Sequence, residues 1–595
     1  MQIEIPDRKK KRFYSPNTGE IFGNLWATKN IDLDFNRGKI RLAERLYEVF
    51  NNTDDGQLEL PVQFIRTDAD GTDRWWALGQ DSGIGVSAND GFLFKTTNTN
   101  PLVGWTQDAI ANSPSTAVDD MEIFGTASGR DRLVVSRPTD LSILINGTWT
   151  ASWWQTTLGM TALDSGDPHQ LHRFFDQLLI ADGHLIHSVI GSTGTYAKLT
   201  LMTDYQVTWI ADDGIFVYFG TRHIRGGDAK VFIWNGTSTS YNYEVSVSSA
   251  VSYAGCVKDG ICYIINGKGE LMAYNGRSFE AIAHLPIKDS LRVWDNNTTR
   301  PQMVHPNGMK AIEGRIHILL SGQIEGSSYM DNFPSGLWVF DPDVGLYCTN
   351  TLGQYDKSAN TDWGGFDINL VGALVPIEDI LGQRYLIGAQ VYTGASATLR
   401  IIATSENRVN THSQRGYFIT TQIPSAGVVE FIRKLTAYFS KMADTGHEIK
   451  IKYMTARDYF KEVDTDPLVP ATWAGTGDRI TVVDADTSFD LASVVAGDEV
   501  EIINGLGAGL CAGISSIVLA AGTYTIILDE SDAAFTGTLK VRFRKWRELV
   551  TISGDTSTER RLVGIERRAE FIQLKVLLFG TILSPELEKI IIELQ

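Results

Sequence analysis

Two pairs of histidines have a spacing that could bind a metal ion. His169 and His172 are three residues apart, and so are His184 and His187. In a helix this spacing places both imidazoles on one face, which suits zinc. The second pair lies in "LLIADGHLIHSV", which predicts two strands joined by a turn. Residues three apart in a strand point to opposite faces, so we interpret these residues as scattered strand and loop histidines.

Two groups of aspartates offer the oxygen ligands that calcium prefers. Asp68 and Asp70 lie in "TDADGTD", and Asp484, Asp486 and Asp490 lie in "VDADTSFD". Neither group matches an EF-hand loop, because neither has the glycine and the distal glutamate at the required positions. Aspartate side chains also close tight turns, so we interpret both groups as turn residues.

Catalytic motifs that can be read from spacing alone are absent from the sequence. It contains no Walker loop, no Gly-x-Ser-x-Gly elbow and no zincin His-Glu-x-x-His. The stretch "SANDGFLF" from Ser87 to Phe94 approaches the Asp-box turn of sialidase-like glycosidases, but Asn and Leu replace its Asp and Thr. Catalytic pairs that are distant in sequence stay open. We predict no catalytic, cofactor-binding or metal-binding residue.

The four cysteines are Cys256, Cys262, Cys348 and Cys511, and none has a neighbour at metal-ligand spacing. We therefore interpret them as small buried apolar residues.

Fourteen tryptophans include two adjacent pairs, Trp75 with Trp76 and Trp153 with Trp154. Such side chains can stack on sugars, and they can also fill the contacts between repeated sheets. We favour the second interpretation.

The elements that would position these residues are mostly strands, and they repeat. The stretches "LSILINGTWTAS", "KVFIWNGTSTSY" and "ELMAYNGRSFEA" each place an apolar strand before an Asn-Gly pair. Asn and Gly tolerate the positive φ of a type I′ turn, so each stretch predicts a hairpin. The first turns of successive units lie at Asp131, Asp176, Gly214, Gly260 and Gly314.

This spacing is that of a four-stranded propeller blade, and weaker units before and after extend the repeat to about seven blades. We therefore predict an all-β chain: a β-propeller of about seven blades, followed by a C-terminal β-sandwich with a small inserted β-barrel. A β-helix is disfavoured, because its rungs are shorter and lack antiparallel turn pairs. One exception to the strand pattern is the segment 40–50, which has an amphipathic helical pattern.

The predicted domains are an N-terminal arm with closing strand over 1–60, the propeller over 61–427, the sandwich over 428–470 and 546–595, and the inserted barrel over 471–545. The sandwich is predicted from "VEFIRKLTAYFS" and "AEFIQLKVLLFG", which both contain Glu-Phe-Ile and then alternate. The barrel is predicted from the Gly- and Ala-rich sequence between these two stretches.

The net charge of −18 excludes a basic footprint for sequence-independent DNA binding over the whole chain. An acidic surface can still let DNA slide past it. Basic residues cluster in two places: the run Arg8, Lys9, Lys10, Lys11 and Arg12, and a set near the C-terminal end. The second set consists of Arg542, Arg544, Lys545, Arg547, Arg560, Arg561, Arg567 and Arg568. We expect the first run to be an arm that docks on an acidic neighbour.

Two segments resemble virion proteins of tailed bacteriophages. These are "GNLWATKNIDLDFNRGKIRLAERLYEVFN" near the start and the closing β-domain with its two Glu-Phe-Ile strands. The resemblance covers about a third of the chain and is nearest to the tail nozzle or hub proteins of short-tailed phages. It implies a non-enzymatic structural protein without a cofactor, which forms a homo-oligomeric ring with other tail or connector proteins. The ring would pass double-stranded DNA without binding it specifically.

The expected location is the virion, after assembly in the bacterial cytoplasm, with no membrane span. Two alternatives stay open. One is a receptor-binding tail-tip protein that recognises a host glycan or protein, and the other is a glycan hydrolase built on a propeller.

Overall fold

The structure is a computed structural model. It describes residues 2–5, 25–29, 31–32, 40–42, 46–52, 59–81, 92–97, 99–110, 118–164, 166, 168–285, 304–321, 335–342, 345–352, 368–379, 382–392, 397–404, 415–420, 430–440, 442, 446–455, 461–463, 473–476, 479–483, 494–496, 498–502, 511–520, 523–528, 536–538, 541–544, 546–554, 560–569, 572–580 and 584–594.

The described chain is nearly all β-strand. The first strands are β1 Gln2–Ile5, β2 Leu25–Lys29, β3 Ile31–Asp32, β4 Arg41–Leu42, β5 Leu46–Asn52, β6 Glu59–Thr67, β7 Arg74–Asp81, β8 Phe92–Thr96, β9 Trp105–Gln107, β10 Met121–Ala127, β11 Arg130–Ser136, β12 Leu141–Ile145, β13 Thr148–Thr150, β14 Leu171–Phe174, β15 Gln177–Asp182, β16 Leu185–Ile190 and β17 Thr193–Thr200. They are followed by β18 Tyr205–Asp212, β19 Val217–His223, β20 Lys230–Trp234, β21 Tyr243–Ser246, β22 Ser252–Lys258, β23 Ile261–Asn266, β24 Glu270–Tyr274, β25 Phe279–His284, β26 Met309–Ile312, β27 Arg315–Leu320, β28 Ser335–Asp341, β29 Gly345–Leu352, β30 Ile368–Asp379, β31 Gly382–Tyr392, β32 Ala397–Thr404 and β33 Arg415–Thr420. The last strands are β34 Glu430–Phe439, β35 Glu448–Thr455, β36 Lys461–Val463, β37 Trp473–Thr476, β38 Arg479–Val483, β39 Glu499–Ile502, β40 Cys511–Ala520, β41 Thr523–Leu528, β42 Thr536–Thr538, β43 Val541–Arg544, β44 Arg547–Ser553, β45 Arg560–Ala569, β46 Ile572–Phe579 and β47 Leu587–Leu594.

Helical structure in the described residues is a π-helical turn at Trp153–Thr157 and a 3-10 turn at Pro306–Gly308. No described helix is long and apolar enough to cross a membrane.

The chain divides into two compact units, which we describe separately. The propeller-like unit contains Glu48–Ser321 and Ile368–Ala403. The terminal unit contains Met1–Tyr47, Gly322–Asp367 and Thr404–Gln595. The domain boundaries expected from the sequence stay predictions.

The propeller-like unit is built from antiparallel four-stranded sheets of consecutive strands: β6–β9, β10–β13, β14–β17, β18–β21 and β22–β25. β26 pairs with β27, and a further sheet has the order β30-β31-β32-β5, in which the N-terminal strand β5 is the end strand. The first strands β6, β10, β14, β18, β22, β26 and β30 each contact the next, and β30 contacts β6. Since the first strands form a closed cycle of contacts, the all-β fold is propeller-like.

The core of this unit lies between neighbouring sheets. Phe124, Val134 and Trp154 pack with Leu178 and Val189 of the following sheet. The third and fourth sheets bury Phe174 and Leu179 against aromatic residues that include Phe219 and Trp234. The fourth and fifth sheets bury Trp209 and Ile264 together. Each sheet therefore buries its faces against its neighbours, which is what a repeat of incomplete units requires.

The three Asn-Gly pairs connect the third and fourth strands of their sheets, as predicted. The predicted turn chemistry holds only for Asn146, which has φ 46° next to Gly147 at 79°. Asn235 and Asn275 act through their side chains instead. The Oδ1 atom of Asn235 accepts from the backbone N–H groups of the two residues after Gly236, and the Oδ1 atom of Asn275 does so at the equivalent place.

The helix predicted over 40–50 is wrong, because this segment contains β4 and β5. β5 is paired within a sheet, so sheet hydrogen bonding overrides the local helical pattern.

The terminal unit contains a four-stranded sheet of order β1-β47-β34-β45 and a five-stranded sheet of order β2-β33-β46-β35-β44. Their buried residues form one cluster, which includes Ile432, Leu435, Ile451, Val576 and Ile590. The two Glu-Phe-Ile segments lead into β34 and β46, which belong to different sheets. The strands β28 and β29 form an antiparallel pair.

A further sheet of order β36-β43-β39-β40-β41-β38-β37-β42 is inserted in the chain between β35 and β44, which pair with each other. It has its own buried cluster, which includes Ile480, Val500, Ile514, Ile526 and Phe543. We call this sheet the inserted domain.

Candidate functional site

A cluster of ionisable side chains in the propeller-like unit consists of the buried His169, Asp182 and His187 and the partly buried Asp119, and we call it the His-Asp cluster. Asp119 precedes β10 and His169 precedes β14, each at the entry to the first strand of a sheet. Asp182 ends β15, a strand of six buried residues, and His187 lies in the neighbouring β16. The cluster therefore lies between two successive sheets.

His187 is held from both sides of its ring. The backbone N–H of Ala197 donates to Nδ1 at 2.8 Å, and Nε2 lies 3.0 Å from Oδ2 of Asp182. Since Nδ1 accepts a hydrogen bond, we assign the ring proton to Nε2, which donates to Asp182. The ring also stacks on Tyr196 with centroids 4.5 Å apart and lies 5.5 Å from the ring of Trp154.

His169 has a different environment, although it is also fully buried. Its Nδ1 lies 3.5 Å from Oδ2 of Asp119 and its Nε2 lies 3.6 Å from Oδ1 of Asp182. Neither ring nitrogen makes a hydrogen bond. Burial lowers the pKa of His169 to about 4, so the ring is neutral at pH 7.

Asp182 connects the two histidines. Its Oδ1 accepts from the backbone N–H of Asp164 at 3.0 Å, while Oδ2 faces His187. Burial acts to raise the pKa of Asp182, but the hydrogen bonds from His187 and Asp164 outweigh it and the pKa is lowered. Asp182 is therefore the anionic centre of the cluster.

Polar groups next to the cluster hydrogen-bond between the sheets. Oδ2 of Asp120 accepts from the backbone N–H of Leu171 at 2.7 Å, and the Ser136 hydroxyl donates to the carbonyl of His169 at 2.8 Å. Burial raises the pKa of Asp120 to about 8. Among the described residues, no group of three or more His, Cys, Asp or Glu could hold a metal ion. The arrangement can hold two sheets together through buried hydrogen bonds between them.

The histidine pairs considered in the sequence are separated by the fold. His172 in β14 pairs with Asp212 at 2.7 Å, and this contact lowers the pKa of Asp212. His184 lies in the turn between β15 and β16. The cluster thus combines one histidine from each pair. The sequence analysis missed Asp182, and the feature that could have indicated it is a charged residue at the end of the apolar run "QLLIAD".

Asp68 and Asp70 lie at the turn between β6 and β7. Oδ1 of Asp68 accepts from the backbone N–H of Asp131 at 2.8 Å, which joins two sheets. Asp70 pairs with Lys95 at 3.3 Å and with Arg74 at 3.2 Å.

Cys256 and Cys262 are buried, and so are the tryptophans whose side chains the structure describes. Cys256 and Cys262 are free thiols; burial raises the pKa of Cys256 to about 12 and also raises the pKa of Cys262. Trp76 meets Trp149 of the next sheet edge to face, with centroids 6.3 Å apart. Trp153 and Trp154 belong to the core between the second and third sheets.

Several candidates from the sequence lie outside the described residues. These are Asp484, Asp486 and Asp490, the residues 87–91 of the Asp-box-like stretch, the basic run Arg8–Arg12, and Lys545. Of the C-terminal basic set, Arg542 and Arg544 are in β43, Arg547 begins β44, and the remaining arginines are in β45, where Arg561 is exposed.

Comparisons with known proteins do not show a family for this chain. No protein-family model matches the chain, and no curated protein matches it. Among solved structures, the computationally designed Ika8 protein has a TM-score of 0.34 at 9% identity and covers 60% of this chain and 99% of its own. BBS1N in complex with ARL6DN has a TM-score of 0.36 at 10% identity, with 61% and 98% covered. The N-terminal domain of Nup159 has a TM-score of 0.32 at 11% identity, with 61% and 96% covered. At these scores the likeness carries no argument about function.

Proposed function

We propose that this chain is a structural component of a bacteriophage tail, which assembles with copies of itself into a ring-shaped nozzle or hub for the exit of genome DNA. In this proposal the propeller has seven blades, the two sheets of the terminal unit form a β-sandwich, and the inserted domain is a small barrel. The chain acts without an enzymatic step or a cofactor, and it works in the virion after assembly in the bacterial cytoplasm.

The observation that carries the structural role is the use of the buried ionisable groups. Asp120, Asp182 and His187 hydrogen-bond between or within sheets, and His169 is enclosed without access to solvent. Catalytic groups need to reach a substrate, whereas these groups are buried and, except for the ring of His169, hydrogen-bonded within the protein. The resemblance of the two ends of the chain to tail proteins supports the phage assignment, and the net charge of −18 supports a wall that repels DNA phosphates.

The experiment is to purify the full chain and to measure both its assembly and its affinity for duplex DNA. We expect closed rings in electron micrographs and no retained duplex between 50 and 200 mM salt, because an acidic wall gives no counterion release. A chain that stays monomeric at assembly concentrations, or one that binds duplex with a steep salt dependence, would contradict the proposal.

Receptor binding is the second candidate, and one observation favours it. Apolar side chains are exposed where the first and second strands of three successive sheets connect: Phe175 is 66% exposed and Ile215 68% in two of the turns, and Ile261, which begins β23, is 38% exposed. Exposed apolar residues at neighbouring positions are typical of binding surfaces. Substituting Phe175 and Ile215 with aspartate should reduce adsorption of particles to host cells if this surface binds a receptor. Unchanged adsorption would remove the receptor candidate.

A further inference from the structure

The inserted domain contains the longest uncharged stretch of the chain. From Ile502 to Leu528, 27 residues pass without a Lys, Arg, Asp, Glu or His, although charged residues make up 21% of the protein. The strands β40 and β41 lie in this stretch.

One part of β40 is the edge of its sheet among the described strands. Residues 511–513 pair with β39, whereas the remainder of β40, to Ala520, pairs with β41 only. The side chains there are apolar and face solvent, with Val518 47% exposed and Leu519 53% exposed. Because adjacent residues of a strand point to opposite faces, this edge is apolar on both sides.

Such an edge is unusual, because natural proteins protect edges with charges, prolines or bulges. The same unit supplies the contrast in β45, the end strand of its four-stranded sheet. β45 contains an exposed leucine too, Leu562 at 50%, but it also contains Arg560, Arg561, Glu566, Arg567 and Arg568. The segment "ISSIVLA" of β40 has no charge and no proline, and its bulge between Ile514 and Ser516 comes before the exposed apolar residues Val518 and Leu519.

We propose that the free edge of β40 pairs with a strand of a second copy of this chain. The charge of the chain argues for this occupant: two copies at −18 repel each other, and an uncharged surface is where they can meet without that repulsion. The N–H and C=O groups of this edge, which pair with no described strand, provide main-chain hydrogen bonds, and Val518 and Leu519 provide apolar contacts. The inference rests on the proposed ring and names one of its subunit contacts.

The test compares two leucine variants of the full chain. Leu519→Lys places a charge on the β40 edge, and Leu562→Lys places the same charge on the arginine-rich β45 at almost the same exposure. Sedimentation should show that Leu519→Lys weakens self-association by at least about tenfold, because the contact would bury an unpaired charge. Leu562→Lys should associate as the wild type does. Val518→Lys repeats the test if Leu519→Lys fails to fold.

Hydrogen exchange gives the second readout. Backbone amides of residues 515–520 should be protected in the wild-type assembly and should exchange fast in Leu519→Lys. Rings that form equally well with Leu519→Lys and Val518→Lys would overturn the β40 contact and leave the proposed function intact. A wild-type chain that forms no assembly would overturn both. Dimers without a ring that are lost in Leu519→Lys would support the β40 contact and contradict the conduit.

Discussion

Two regions of the molecule bury charged groups in opposite ways. In the propeller-like unit, His169 is neutral and makes no hydrogen bond through its ring, while Asp182 takes the hydrogen bond of His187. In the terminal unit, Glu499 of the inserted domain lies between Lys452 and Lys575 of the five-stranded sheet, at 2.7 and 2.5 Å. Both sites join two parts of the fold.

The difference lies in how each site avoids an uncompensated charge. Burial acts to raise the pKa of Glu499, but the two lysines outweigh it and the pKa is lowered, so Glu499 stays ionised. At His169, burial prevails over the attraction of Asp182 and the ring loses its proton. Partners within 3 Å keep a buried group charged, whereas partners at 3.5 Å or more leave desolvation in control.

The largest effect is expected from Glu499→Gln. This change leaves Lys575, whose side chain is 3% exposed, without its anion, and should lower the free energy of unfolding of the terminal unit by about 3–5 kcal/mol. Urea denaturation measures the loss. The control is Glu448→Gln, which breaks the half-exposed pair with Lys450 and should cost at most about 1 kcal/mol. Equal losses of unfolding free energy in the two variants would show that the contacts of Glu499 with Lys452 and Lys575 do not stabilise the inserted domain.

The next effect is a pH dependence due to His169. Its pKa is 6.5 when unfolded and about 4 when folded, so the unfolded state binds more protons in this interval. Stability is therefore complete above pH 6.5 and falls by about 3 kcal/mol as the pH drops to 4. Glu499 acts in a lower window, because its stabilisation is present above the unfolded pKa of 4.5 and is lost below it.

The measurement is the thermal stability of wild type and His169→Gln from pH 4 to 7. The variant should lose less stability on acidification. Asp120 acts with the opposite sign, since its raised pKa favours the folded state at low pH, but it is present in both proteins and cancels in the comparison. His184→Gln, in a turn, is the matched control and should keep the wild-type profile. A His169→Gln profile parallel to the wild type would refute the neutral buried histidine.

The smallest effect is expected from Asp182→Asn. The amide keeps one acceptor and cannot serve both the Asp164 N–H and the Nε2 proton of His187, so one bond is lost at a cost of about 1–3 kcal/mol. The change should also increase the loss of stability on acidification, because the Asp182 anion raises the pKa of His169 towards its unfolded value. Calorimetry at pH 7 and pH 5 checks both parts, and a variant as stable as the wild type would contradict the role of Asp182 as the anionic centre.

The repeat could be predicted from the sequence because its signals are local. Asn235 and Asn275 accept hydrogen bonds from backbone groups within three residues, and Asn146 has the positive φ of its turn, so each hairpin depends on neighbouring residues alone. The helix predicted over 40–50 rests on the same kind of local pattern and is wrong. Pairing of β5 in a sheet outweighs the local helical preference there.

The buried sites could not be predicted, because they depend on proximity between distant segments. Glu499 is 47 residues from Lys452 and 76 from Lys575. His169 meets Asp182 only because the entry to one strand packs beside the end of the next. Neither spacing has a signature in the sequence.

The central claim, a structural ring that passes DNA, is tested most directly by cryo-electron microscopy of the assembled full chain. We predict a closed ring of identical subunits around a channel, with net negative loops facing the lumen. An assembly without a channel, or a lumen lined mainly by arginine and lysine, would contradict the account.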